Sequence, residues 1–293
     1  MLTITLPRQF SAENLFRLIH DTFGAFETIP AEVKFDFCKL GFVLPSGIVF
    51  LSNLSRFLLR NNCAVYYLNM DLSRECIRFM DDSLFFEQHM GEKLDPSCSP
   101  RPTTRPLMEI SHTNSHNWIR SDLIPWLSTC SGVPEHDLTE LASCIGELFN
   151  NIDDHTELDV GGIFAQWYPQ KNIVAISIAD FGVGIPSTVA RIEPDLSDHE
   201  AIIKAFKDGF TSQSTPGNRG IGLHYLCQNV VRTLGGSLEV HSGNGSVKFK
   251  KAGDSVISMP YDRSGYCPGT LINLEFATDK IEITNAEVED FEW

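Results

Sequence analysis

An apolar pattern that runs without a break into Asp180-Phe-Gly182-Val-Gly184-Ile-Pro186 constrains this chain more than any other stretch of it. Residues 163–168 and 173–179 flank Pro169-Gln-Lys-Asn172, which predicts a hairpin whose second strand delivers a carboxylate at its buried end. Two glycines at i and i+2 carry no Cβ, so the backbone there can pass close to a flat ligand. A carboxylate in that place can accept a hydrogen bond from the exocyclic amine of adenine. Guanine presents a carbonyl oxygen at the same edge, and two facing acceptors repel.

Upstream, Leu141, Ile145, Leu148 and Ile152 repeat at the spacing of a helix's buried stripe. Glu147, Asn151 and His155 stand four residues apart on the neighbouring stripe. A carboxylate, an amide and an imidazole in line can hold a metal and a water. A solvated face with one polar ladder has the same pattern. Downstream, Thr211-Ser212-Gln-Ser-Thr-Pro-Gly217-Asn-Arg219-Gly220-Ile-Gly222-Leu223 opens a helix that buries Leu226, Cys227, Val230, Val231 and Leu234 and stops at Gly235-Gly236. A glycine-rich loop feeding a helix start offers backbone N–H groups and the positive dipole end to phosphates. Its G-x-x-G-x-G order reverses the dinucleotide fingerprint, and the chain has no Gly-Lys dipeptide, which excludes a Walker-type loop.

In order, Glu147-Leu-Phe-Asn-Asn151-Ile-Asp-Asp-His155, Asp180-Phe-Gly-Val-Gly184 and Gly217-Asn-Arg-Gly-Ile-Gly222-Leu223 resemble the three boxes of the GHKL superfamily, over about residues 118–278. The resemblance implies the Bergerat ATP-binding fold, a two-layer α/β sandwich shared by gyrase, histidine kinases, mismatch-repair ATPases and anti-sigma-factor kinases. It implies ATP and magnesium as ligands. Asn151 would coordinate the metal bridging the phosphates, and Asp180, with Gly182, Gly184 and Ile185, would receive adenine. Glu147 would activate water or an acceptor hydroxyl as the catalytic base. Residues 187–216 would form the lid, with Thr211, Ser212, Gly217, Arg219, Gly220, Gly222 and Leu223 around the phosphates. Pro268-Gly269-Thr270 before a last strand at 271–276 resembles the closing Gly-Thr element, with Thr270 near the adenine carboxylate. Ile152 departs from the alanine common after the magnesium-binding Asn; it is bulkier but removes no ligand.

The histidine-kinase branch fits poorly, because His112 and His116 lie just past a proline-rich stretch and not on a long dimerisation hairpin. Nearer is the branch of bacterial serine-kinase-like ATPases that work with STAS domains. Residues 1–94 alternate strand and helix patterns and are expected to form a smaller α/β domain. Ser11 is a plausible cap for the helix that starts at Ala12, and residues 64–68 read as a buried strand. Phe35-Asp-Phe-Cys-Lys-Leu-Gly-Phe-Val-Leu-Pro-Ser46-Gly47 is similar to the STAS strand–loop–helix that carries a phosphorylatable serine, and residues 77–86 to its closing helix. Pro45 stands where the acceptor serine would be, and Ser46 reads as a helix cap, which favours docking over phosphorylation. Residues 95–117, with four prolines between Asp95 and Pro106, are expected to be a linker. Residues 118–278 form the ATP-binding domain in this reading, and 279–293 an acidic tail.

The balance of 23 Lys and Arg against 38 Asp and Glu, a formal charge of −15, makes nucleic acid an unfavourable partner. Lys248, Lys250 and Lys251, the densest basic cluster, read as a solvated strand edge. The apolar runs are too short to cross a bilayer, and the first residues lack a basic region followed by an apolar core. Eight scattered cysteines without a C-x-x-C pair predict reduced, mostly buried thiols and a cytoplasmic protein. Two functions follow from the resemblance. One is a magnesium-dependent ATPase or serine-kinase-like phosphotransferase in a bacterial-type partner-switching system. The other is an ATP-gated interaction switch with little turnover. A regulatory protein partner, such as a STAS-like protein, is implied, and a homodimer is left open.

Overall fold

Alternation along the strands assigns every second side chain to one of two cores, and that division organises the whole chain. The computed structural model describes residues 2–24, 28–110, 112–155, 161–210 and 222–281. The N-terminal unit comprises β1 (Leu2–Thr5), β2 (Gln9–Phe10), α1 (Ala12–Phe23), β3 (Glu32–Asp36), β4 (Phe42–Val43), α2 (Pro45–Arg60), β5 (Ala64–Leu68), α3 (Glu75–Asp82) and α4 (Phe85–Met90). Strands β1, β3 and β5 form a parallel sheet in that order, and β2 pairs with β4. Helix α1 buries Leu15, Phe16, Ile19 and Phe23 and ends at Gly24 in the left-handed region.

The remainder contains β6 (Thr104–Ile110), α5 (His112–Trp118), a π-helical turn, α6 (Ile124–Ser131), α7 (Thr139–His155), β7 (Gly161–Tyr168), β8 (Ile173–Asp180), α8 (Gly184–Val189), α9 (Asp198–Ala205) and α10 (Gly222–Cys227). It closes with β9 (Ser237–Gly243), β10 (Gly245–Ala252), β11 (Ser255–Pro260) and β12 (Cys267–Ala277). Seven strands build one antiparallel sheet in the order β11-β10-β9-β12-β8-β7-β6. One face, with Ile163, Ile176, Ile178, Leu238, Val240, Ile272 and Leu274, packs on the helical layer through Leu141, Ile145, Leu148, Ile202, Leu226 and Val230. These are the two expected layers.

The other face is covered as well. Phe164, Ala179, Cys267 and Leu271 belong to the core of the N-terminal unit. Helix α2 lies across them, with Ile48, Val49, Phe50, Leu51 and Leu54 all fully buried. A helix buried on every side is one enclosed between layers, and residues 45–55 of α2 have the small sheet on one side and the large sheet on the other. The segment between β11 and β12 straps α1 down. The Tyr261 hydroxyl donates to Glu239 at 2.8 Å and lies 3.2 Å from the Glu13 carboxylate, and the Arg263 guanidinium stands over the Phe16 ring at 4.3 Å.

Several expectations change against this architecture. The segment expected to be a linker contributes β6, an edge strand paired with β7. An outer strand tolerates proline because its solvent-facing donors need no partner, and the ladder shifts register between Arg105 and Met108, around Pro106. Trp126 Nε1 also donates to the Pro102 carbonyl at 2.9 Å. Strand β5 is the edge of the small sheet, with Ala64 and Tyr66 exposed, so it is not a buried strand. The lysines sit on β10, and β11 is the outer strand beside it. Neither Ser11 nor Ser46 caps a helix by its side chain. Helix α2 starts at Pro45, one residue too early for Ser46 to precede it, and the Ser46 hydroxyl accepts from the Ala12 N–H at 3.5 Å. In the segment expected to be a lid, α8 and α9 bury Val189, Ala201 and Ile202 in the helical core, with Phe206 just after α9, so the described residues 187–210 are part of the packed body.

Candidate functional site

Strand β8 delivers Asp180 to the end of the sheet with its side chain on the helical face, in phase with Ile176 and Ile178. Opposite it in the ladder stands Thr270 of β12. Asp180 is 8% exposed. Its carboxylate accepts from the Gly182 N–H at 2.6 Å. Burial pushes the Asp180 carboxyl up to about 6, against the opposing pull of backbone N–H groups from Gly182 and Thr270.

The turn after Asp180 is held by a residue that sequence reasoning missed. Ser242, at the end of β9, accepts from the Ile185 N–H at 2.9 Å and donates to the Gly269 carbonyl at 2.6 Å. Its hydroxyl also lies 3.4 Å from that of Thr270. Gly269 has φ +68°, and a Cβ on it would overlap the Asp180 carbonyl oxygen. Gly184 is buried against Ser242. The sequence thus brings Asp180, Gly182, Gly184, Ile185 and Thr270 into one corner, as expected. The only local signal for Ser242 was a small polar residue closing a strand before Gly243-Asn-Gly245.

Glu147 projects from α7, half-buried, against the first residue of α10. Leu223, one position on, packs partly buried on the helical core. Asn151 lies one turn beyond Glu147 on the same helix, so the predicted spacing is realised in the backbone. The side chains of Asn151 and His155, and residues Thr211, Ser212, Gly217, Arg219 and Gly220, lie outside the described residues. Among the described residues, no group of three or more His, Cys, Asp and Glu side chains is arranged to hold a metal ion. Magnesium does not require such a cage. It keeps several waters and is bound by one or two protein groups plus substrate phosphates, which fits a single amide on α7. No helix among the described residues is long and apolar enough to cross a membrane. All eight cysteines are free, and all but Cys38 are buried.

Residues 136–259 match the family described as histidine kinase-, DNA gyrase B- and HSP90-like ATPase. No curated protein matches the chain. Among solved structures, the B subunit of DNA gyrase from Myxococcus xanthus is similar at 11% identity, with a TM-score of 0.19. That match covers 39% of this chain and 30% of the other, so the chain spans well under half of that structure.

Proposed function

We propose, on the premise that residues 136–259 form a histidine kinase-, DNA gyrase B- and HSP90-like ATPase domain, that the chain binds ATP with magnesium and cleaves it, by hydrolysis or by transfer to a partner protein. The observation that carries the reading is the buried Asp180 carboxylate, with Thr270 beside it and Ser242 fixing the turn that follows. Such a carboxylate suits the adenine amine, and Gly182, Gly184 and Ile185 would line the base. Bound magnesium would neutralise the phosphates, with Asn151 as its amide ligand. Glu147 would take the proton of the attacking water or hydroxyl. Thr211, Ser212, Gly217, Arg219, Gly220, Gly222 and Leu223 would surround the phosphates, where N–H groups at a helix start are suited to anions.

A second reading has its own support. The segment that follows Asp180 packs against α2, as Phe181 lies 5.2 Å from Phe50 between ring centroids. A nucleotide that shifted this segment would act on the N-terminal unit, as an ATP-gated interaction switch requires. In either reading we take the N-terminal unit as a STAS-like docking module in a cytoplasmic partner-switching system. Ser46 is only 8% exposed, which speaks for docking over phosphorylation.

The test is incubation of the pure protein with labelled ATP and magnesium, alone and with candidate partner proteins. Phosphate release or transfer supports the enzyme. Tight binding without either, combined with ATP-dependent partner capture, supports the switch.

A further inference from the structure

We propose that helix α2 is part of the nucleotide site, with Asn53 a positioning residue for Asp180 and Phe181 the anchor of the turn that follows. The inference rests on the reading of Asp180 as the adenine-binding group.

Asn53 is a lone amide in the most buried stretch of α2, 6% exposed. Its Nδ2 donates to the Ala179 carbonyl at 2.7 Å. That oxygen belongs to the peptide unit joining Ala179 to Asp180, so the amide fixes this unit from one side of the sheet while the carboxylate works on the other. The amide reaches it only because Gly162, the partner of Ala179 in the β7–β8 ladder, has no side chain. A Cβ there would come within 2.8 Å of Asn53 Oδ1. On the far side of Asp180, the Phe181 ring packs between Phe50 and Phe57 of the same helix, with centroids at 5.2 and 5.7 Å. The residues flanking Asp180 are therefore both tied to α2, in addition to the sheet pairing that holds Asp180 opposite Thr270 and Ala179 opposite Gly162. A group that must meet a ligand edge at hydrogen-bond distance depends on such support, since its placement decides its effect.

Nucleotide affinity is measured by calorimetry for wild type, Asn53→Leu, Asp180→Asn and the double variant, with ATP and with GTP. Asn53→Leu keeps the bulk and removes the donor. It is expected to weaken ATP about tenfold and GTP less than twofold, so that base discrimination falls. In the Asp180→Asn background the same change is expected to cost less than twofold, because Asn53 acts through that carboxylate. A merely structural role would weaken both nucleotides equally and add fully in the double variant, which overturns the proposal. So does a folded Asn53→Leu protein with wild-type ATP affinity.

Phe181→Leu and Phe181→Ser give the second measurement should Asn53→Leu not fold. The leucine variant is expected to stay within threefold of wild type and the serine variant to lose tenfold or more for ATP. Equal behaviour of the two overturns the anchor. Wild type that binds neither nucleotide overturns the adenine reading and this inference with it. Wild type that prefers ATP, with indifferent variants, overturns only the inference.

Discussion

Glu147 and Gly222 touch across the gap between α7 and α10, so closely that a methyl group on Gly222 would lie 2.8 Å from the Glu147 Cβ and 3.3 Å from its Oε2. The carboxylate thus stands at the start of the helix that the glycine-rich loop enters. Glu147→Ala is expected to bind ATP normally and to turn it over at least a hundredfold more slowly, because losing a general base costs on the order of 10²–10⁴ in rate with little effect on binding. Asn151→Ala is expected to weaken magnesium-dependent binding itself. Wild-type turnover no faster than that of Glu147→Ala, with partner present, would leave the switch as the better account.

Base choice is the second expectation. ATP and ADP should bind far better than GTP, and Asp180→Asn should weaken ATP by roughly 1–3 kcal/mol, the cost of an imperfectly satisfied buried polar group. Calorimetry on both nucleotides checks this. Equal wild-type affinities would remove the assignment.

The pH profile of stability should carry two opposed signatures. Asp180, raised from 3.8 to about 6, is easier to protonate when folded, so its contribution is present at acid pH and lost as pH rises through about 6. His89 and His241 are both pushed down to about 3, mainly by burial, and act in reverse. Their contribution is complete above the ordinary imidazole value and is lost as pH falls toward 3. Two imidazoles outweigh one carboxyl, so urea denaturation should show stability falling between pH 6.5 and 4. Asp180→Asn removes the compensating gain and should steepen that fall by up to ~1.4 kcal/mol per pH unit. A shallower fall in the variant contradicts the burial of Asp180. ATP affinity should also drop below about pH 6 in wild type by more than in the Asp180→Asn variant, which lacks that carboxylate.

Gly269→Ala tests the corner mechanically. A side chain at φ +68° that also meets the Asp180 carbonyl should destabilise the fold by roughly 2–4 kcal/mol and abolish nucleotide binding in whatever remains folded. Thermal unfolding with and without ATP measures both. An unchanged melting temperature would mean that the turn tolerates displacement.

Local chemistry made the Asp180 corner readable in advance. A strand ending in Asp-x-Gly-x-Gly and a Pro-Gly-Thr before the last strand are short patterns, each with one backbone reason. The stripe of Leu141, Ile145 and Leu148 likewise predicted the helix that bears Glu147, and these residues are buried as expected. Long-range packing was not readable. Nothing near Asn53 announces a contact 126 positions away at Ala179. Ser242 meets Ile185 and Gly269 only after the sheet has brought three strands together. Prolines around 95–106 read locally as breakers of structure, whereas an outer strand accommodates Pro106. The lid expected over residues 187–216 rests on position between two motifs, and the buried face of its described part, 187–210, depends on the assembled sheet.

Among the described residues strand β12 is the last strand in sequence order, yet it occupies the middle of the large sheet, between β9 and β8. During synthesis, therefore, the β7–β8 hairpin and the β9–β10–β11 meander emerge as two halves with no edge in common. They stay separate until residue 277 has left the ribosome. Asp180 waits in the first half, Ser242 in the second, and Thr270 arrives on the strand that joins them. The Asp180 corner thus forms only once β12 is in place, and a nascent chain stalled before β12 leaves the facing edges of β8 and β9 unpaired.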